Sequence, residues 1–183
     1  MAEAFSNAIA RAAGIVTTYS GSTVAAGSTA ITVTANTGIG VSDLIDNANF
    51  IAGTKVYSID GTTIYADRTS TNSASATSQT VRFLGATTAY TSPSATKSII
   101  IGGTFANNTN NSVNVTVEVY DTSVGVTSTG SAAIASKIPI PAGSSFVISD
   151  TGKTLLEAGD ELKVYCDTTD AVDVNLSILT GVN

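Results

Sequence analysis

Catalysis near neutral pH needs side chains that ionise or attack, and this sequence groups few of them usefully. It has no histidine, which removes the imidazole base, the Ser-His-Asp triad and histidine metal ligands. Serine and threonine together number roughly fifty, but they have no histidine to activate them, and no Ser-x-x-Lys spacing is taken as a nucleophile–base pair. Gly152-Lys153-Thr154 has the ending of a phosphate-binding loop. The full motif needs a glycine five positions before Gly152 and a helix after it. Val147 stands there instead, inside an expected strand, so the triplet reads as a turn. The C-terminal third carries Asp150, Glu157, Asp160, Glu161, Asp167, Asp170 and Asp173. A calcium loop would set acids at alternate positions around a glycine, and no such run occurs, so these acids read as solubilising charges on turns. On a strand, Asp160 and Glu161 would point to opposite faces, a poor arrangement for glycosidase-type paired carboxylates.

The single cysteine, Cys166, can close neither an internal disulfide nor a thiolate zinc site. It falls on the apolar face of an expected strand and reads as a buried structural thiol. Tyr19, Tyr57, Tyr65, Tyr90, Tyr120 and Tyr165 are scattered, which favours packing over a carbohydrate-binding platform. Asn-x-Ser/Thr triplets such as Asn114-Val115-Thr116 have meaning only on a glycosylating secretory route. The expectation is a protein without catalytic residues, cofactor or metal, and not an enzyme.

The elements that would position these residues are strands. From Tyr19 onward the vocabulary is Thr, Ser, Val, Ile and Gly, and β-branched side chains suit a pleated surface. Ala30 to Thr34 reads as a short strand, Gly38-Ile39-Gly40 as a turn, and Ser42 to Asn47 as a short helical or looped link. Phe50 to Ile59 and Thr62 to Ala66 flank Asp60-Gly61, a strong hairpin signal. Arg68 to Ser78 is nearly all small and polar and reads as an exposed loop, and Gln79 to Leu84 returns to strand character.

The second half is more regular. Ser98 to Phe105 contains Ile99-Ile100-Ile101, and Asn107 to Asn111 is a polar turn. Val113, Val115, Val117 and Val119 alternate with Asn114, Thr116, Glu118 and Tyr120, the pattern of one buried and one wet face. Ala132 to Ile138, Ser144 to Ser149, Leu162 to Cys166 and Val172 to Ile178 complete the series, with Thr122 to Gly130 a loop. Such a succession of short strands indicates an antiparallel β-sandwich. No helical stretch is long enough for a parallel βαβ crossover.

The first eighteen residues differ. Ala4, Phe5, Ala8, Ile9, Ala12 and Ala13 recur at helical spacings, which predicts a short helix or a docking arm. The expected organisation is an all-β protein: an N-terminal arm or helix over 1–18, a β-rich domain over 19–92 and an antiparallel β-sandwich over 93–183. The boundary is placed near Thr91 to Ser94, just before a new strand series.

Composition narrows the classes further. The chain has 183 residues, 43% of them hydrophobic, so it can bury a core, while only 12% are charged. A net charge of −6 and a pI near 4.3 argue against a nucleic-acid partner, which needs a basic face. No apolar run approaches a membrane span. The N-terminus has Glu3 ahead of its apolar part and Arg11 within it, unlike a secretory signal, so the mature chain is expected to begin here. One cysteine is compatible with a reducing cytosol.

Particular stretches of the second half resemble a known family. Ala89-Tyr90-Thr91-Ser92-Pro93 precedes the Ile99–Ile101 strand and Gly102-Gly103. Ile138-Pro139-Ile140-Pro141-Ala142-Gly143 and Leu155-Leu156-Glu157-Ala158-Gly159-Asp160 follow, then the alternating strand to Leu179. This order resembles a small β-sandwich module of virion structural proteins in tailed bacteriophages, notably those infecting marine cyanobacteria. It covers about Thr91 to Asn183. In the first half, Phe50-Ile51-Ala52-Gly53-Thr54-Lys55-Val56 with the Asp60-Gly61 hairpin is similar to repeats in the same kind of protein. The resemblance brings no catalytic residues and implies a particle component that works by contact. The expected role is a capsid decoration or cement protein on the head exterior, made in the host cytoplasm. Expected partners are the major capsid protein or tail and neck proteins, with homo-oligomerisation and with no nucleic acid or membrane. Phe5, Ile9, Ile15 and Val16 are the expected anchoring residues. A tail, neck or fibre component and a carbohydrate-binding module are the alternatives, and a secreted adhesin or surface-layer fragment is weighed against by the N-terminal sequence.

Overall fold

A computed structural model describes residues 3–124, 130–149 and 153–182. The protein is all-β, with fifteen strands in three antiparallel sheets among the described residues. Two sheets form a sandwich. The first has the order β1 (Ala4–Ala13), β15 (Val172–Val182), β9 (Lys97–Asn107), β12 (Ser145–Ile148), with β13 (Thr154–Leu156) also paired to β9. The second has the order β11 (Ser131–Ile140), β10 (Val113–Tyr120), β14 (Glu161–Cys166), β8 (Thr87–Thr91). Their inner faces meet in one core. Phe105, Val174, Leu176 and Ile178 come from the first sheet, and Val113, Val115, Val117, Leu162 and Val164 from the second. The period of two in β10 and β15 is what places these side chains inside.

The third sheet has the order β4 (Leu44–Asp46), β7 (Ala76–Gly85), β2 (Ile15–Val24), β3 (Ala30–Thr32), β6 (Thr63–Ala66), β5 (Val56–Asp60). Its two ends meet. Leu44 bridges Lys55, Ile45 N–H donates to Thr54 O at 2.8 Å and Val56 N–H to Asp43 O at 2.9 Å. The sheet therefore closes into a small barrel around Val24, Ile31, Ile45, Phe50, Val56, Ile64 and Phe83, and closure removes its edges. The Asp60-Gly61 hairpin forms as expected, with Asp60 opposite Thr63 and Gly61 at φ 56.

Three expectations are corrected. Residues 4–13 form a strand rather than a helix or free arm, with Phe5 opposite Leu179 and Ala10 opposite Val174. A spacing of four residues satisfies both a helix and a strand, so Phe5 and Ile9 share a face either way. The deciding signal is Ala8 and Ala10, two residues apart and both packed on the sandwich core. The divisions at 18/19 and 92/93 also move. β1 and β8 both belong to the sandwich, so the barrel is inserted into it, entering at Gly14 and leaving at Ala86. The wet face expected on β10 is largely dry. Thr116, Glu118 and Tyr120 are buried, because the barrel packs on the outer face of that sheet.

Smaller differences follow from closure. Leu44–Asp46 is a strand rather than a link, and Phe50 to Lys55 is mostly turn, with regular pairing starting at Val56. The polar 68–78 stretch is tied down in part, since Ser70 Oγ donates to Ala25 O at 2.7 Å.

Candidate interaction surface

The residues with chemical potential serve structural ends. Asp160 accepts hydrogen bonds from Thr122 N–H at 3.2 Å and Glu157 N–H at 3.0 Å, ordering the turn before β14. Asp167 accepts from Asn114 N–H at 2.9 Å and Asn114 Nδ2 at 2.7 Å. Asp173 accepts from Ala12 N–H at 2.9 Å, and that bond holds its carboxyl below the usual range. Glu161 pairs with Lys163 at 3.2 Å. Among the described residues, no group of three or more His, Cys, Asp or Glu side chains is placed to hold a metal ion. Asp150 and Gly152 lie outside the described residues. Ser94-Ala95-Thr96-Lys97 does spell Ser-x-x-Lys, but Lys97 Nζ bonds Glu157 at 3.0 Å. Cys166 is buried, and burial pushes its thiol pKa up.

The tyrosines do not converge. Tyr57 is exposed and Tyr120 and Tyr165 are buried. Tyr19 donates its hydroxyl to Thr37 O at 2.7 Å, and the Tyr90 hydroxyl is 2.9 Å from that of Ser98.

The junction between barrel and sandwich is polar at its centre. Lys55, on the barrel, forms a buried ion pair with Glu118 on β10. Its ammonium also reaches Ser131 Oγ at 2.5 Å and Tyr165 Oη at 3.5 Å, and lies 5.4 Å from the Tyr165 ring centroid. Burial and the neighbouring Glu118 carboxylate push the Tyr165 phenol up. Beside this cluster Asp46 takes ion pairs from Arg82 and, at 2.8 Å, from Lys137 across the junction. Arg82 also donates to Asp167 O at 2.9 Å. Burial raises the Asp46 pKa, but Lys137 and Arg82 together outweigh it and hold the carboxyl below its usual range. The cleft among Asp46, Arg82, Asn114, Lys137 and Asp167 measures about 70 Å³, well under the roughly 300 Å³ at which small-molecule sites begin. These groups fasten two domains together.

The other outer face of the sandwich is uncovered among the described residues, and it sets large apolar side chains among small polar ones such as Asn7, Ser177 and Asn175. Register places Phe5, Leu179, Ile99 and Leu155 in one row across β1, β15, β9 and β13. A second row runs Ile9, Asn175, Thr104, Val147. Exposures of 80% for Phe5, 70% for Ile9, 53% for Val147 and 47% for Leu155 show large side chains held in water. Next to Ile9, a shallow depression of about 360 Å³ is lined by Arg11, Thr104, Asp173 and Asn175.

The four expected anchors therefore separate. Phe5 and Ile9 stand together on this face. Ile15 is half-exposed on the barrel side of Gly14, and Val16 packs with Leu44, Leu84 and Tyr165 at the junction. Ile99, Leu155, Leu179 and Val147, which are not among the expected anchors, join the face. Their signal is present in the sequence: Ile99-Ile100-Ile101, Leu155-Leu156 and Val147-Ile148 are strands apolar on both faces, a pattern expected where both sides are covered. No protein-family model matches the chain, and no curated protein is similar to it in sequence.

Proposed function

We propose that this chain is a non-enzymatic structural protein of a tailed-bacteriophage particle, a decoration or cement protein seated on the head exterior. The observation that carries the reading is the exposure of large apolar side chains, Phe5 and Ile9 foremost, on the uncovered outer face of the five-stranded sheet. Three strand spacings by four residues span roughly 200 Å², over which these large apolar side chains stand in water. Burying Phe5 and Ile9 against another protein would contribute about 1.5–3 kcal/mol each. The opposite side of the sandwich is already occupied by the barrel, so the molecule has one sticky side and one projecting side, which suits a subunit seated on a lattice. The family resemblance of the 91–183 module agrees with this use.

Imaging of intact source particles by electron cryo-microscopy tests the reading. The expected result is density for this chain repeated over the head lattice, with the Phe5 face toward the shell. Density confined to neck, tail or fibres rejects decoration, and absence from particles rejects the virion reading. The double variant Phe5→Ser/Ile9→Ser should stay within about 0.5 kcal/mol of the parent in stability, since both sites are exposed, yet fail to incorporate. Normal incorporation would exclude this face as the anchor.

A further inference from the structure

The outer edge of β1 is the least guarded backbone in the sandwich. Unpaired N–H and C=O groups on an edge template another strand, and natural sheets blunt them with short strands, prolines, charges or bulges. The other edges carry such devices. β12 and β13 have four and three residues, and β8 has five. β11 holds Lys137 at φ 49 and includes Pro139. β1 has ten residues and no proline. It keeps regular register from Ala4 to Ala10, its irregularity at Ala12 lies near its far end, and no strand among the described residues pairs with its second side.

The sequence of this edge is complementary to itself when reversed. Phe5, Asn7, Ile9 and Arg11 alternate with Ala8 and Ala10, which pack on the core. Glu3, exposed just ahead of the strand, has the sequence parity of Phe5, Asn7, Ile9 and Arg11 and takes the outward side once pairing extends β1 by one residue. When two copies run antiparallel about Asn7, Phe5 opposes Ile9 and Glu3 opposes Arg11, while Asn7 meets its own equivalent on the axis. On the inner side Ala4 opposes Ala10 and Ser6 opposes Ala8, so no bulky group intrudes. A shift of two residues one way sets Glu3 against Ile9, and the other way sets Arg11 against Phe5, so the centred register is favoured. Arg11 is free to take part: its side chain is 84% exposed, and its ion pair with Asp173 is long, at 3.9 Å. The barrel departs at Gly14, roughly 20 Å along the strand from Asn7, so the two barrels leave from opposite ends.

We propose that this chain forms a two-fold dimer by antiparallel pairing of β1 with β1 of a second copy, centred on Asn7. The four-strand path of the sheet becomes eight, and the two outer faces that carry Phe5 and Ile9 join into one. The inference needs only the edge and its residues, and it stands whether or not the protein belongs to a phage particle.

Sedimentation equilibrium and cysteine cross-linking on the full chain test it. The parent chain should sediment as a dimer at micromolar concentration. Glu3→Arg, which sets like charges together twice per dimer, should weaken association roughly 10- to 100-fold. The double variant Glu3→Arg/Arg11→Glu should recover most of that loss. Asn7→Cys should form a disulfide-linked dimer under mild oxidation, because directly opposed residues bring their Cβ atoms close enough. Phe5→Cys alone should not, whereas Phe5→Cys/Ile9→Cys should. Cys166 is buried, so the parent chain is the blank. A monomeric parent at hundreds of micromolar overturns the proposal. So does a dimer indifferent to Glu3→Arg, or one in which Phe5→Cys cross-links as readily as Asn7→Cys.

Discussion

Replacing Lys55 by methionine removes the cation from the barrel–sandwich junction and leaves Glu118 behind. The two side chains of this pair are only 5% and 4% exposed, so water cannot take over the role of the lost partner. Breaking a pair this deeply buried costs about 3–5 kcal/mol, chiefly because the remaining charge has no counterpart. Methionine keeps most of the volume of the lysine stem, so little of the loss comes from a cavity. Ser131 and Tyr165, which also face the ammonium, lose a charged donor at the same time. For a chain of this size the expected fall in melting temperature is roughly 6–20 °C. Thermal melts followed by circular dichroism would measure it, and urea denaturation followed by tyrosine fluorescence would give the free-energy loss. A second variant, Lys55→Met/Glu118→Gln, removes both charges and should regain most of the stability, since a neutral amide is far cheaper to bury than a carboxylate. A loss below about 1 kcal/mol for Lys55→Met would refute the argument, as would a double variant no more stable than the single one. Either result would mean that the junction is wet in solution and the pair is screened.

Asp46 should make the junction sensitive to acid. Its folded pKa lies below the usual 3.8, so its stabilisation is complete above that value and disappears as pH falls through the folded pKa. Denaturation midpoints of the parent and Asp46→Asn should differ by a constant amount near neutrality and converge below pH 3.8. Asp43 works in the opposite sense: burial raises its pKa despite the hydrogen bond from Gly40 N–H, so its contribution falls as pH rises through the folded value. Gly14→Ala should be severely destabilising in a thermal melt, since φ is 131° and an added Cβ would lie 2.2 Å from Thr168 O. Gly61→Ala, with φ 56 and open space around it, should cost only about 1–2 kcal/mol. Asn107→Ala should cost about 2–3 kcal/mol by urea denaturation. Its buried amide donates to Asn111 O at 2.8 Å, Ile140 O at 2.9 Å and Pro141 O at 3.1 Å, and its Oδ1 accepts from Thr109 N–H at 2.8 Å, so the substitution removes a whole set of bonds that join the turn to the end of β11.

Much of the fold was legible because it is written in short-range pattern. The alternation of Val113, Val115 and Val117 and of Val172, Val174 and Leu176 named the core residues of the sandwich. Asp60-Gly61 named a hairpin, and the turn at Asn107–Asn111 was placed correctly. Part of the candidate surface is legible too, since Phe5 and Ile9 are two of the four residues expected from the sequence to anchor a partner. The doubly apolar stretches Ile99–Ile101, Leu155–Leu156 and Val147–Ile148 hold more of the signal, but alternation alone does not say which of their two faces stays in water.

What lay out of reach was decided by partners distant in the chain. Whether Phe5 and Ile9 sit on a helix or a strand depends on β15, and the Ala12–Asp173 hydrogen bond spans 161 positions. The barrel became an insertion because β1 and β8 pair with strands far downstream. Alternation gave β10 two faces, yet it did not say that the barrel would dry the face bearing Thr116, Glu118 and Tyr120, nor that Lys55 would supply the counter-charge 63 positions away. The sequence by itself determined the strand-rich composition, the inner faces of the sandwich and the absence of histidine chemistry. Tertiary structure alone decided which outer face is covered, which edge is left open among the described residues and where the four expected anchors stand. The physical reason is that periodicity depends only on a strand's own pleat, whereas exposure depends on whatever else the chain brings against it.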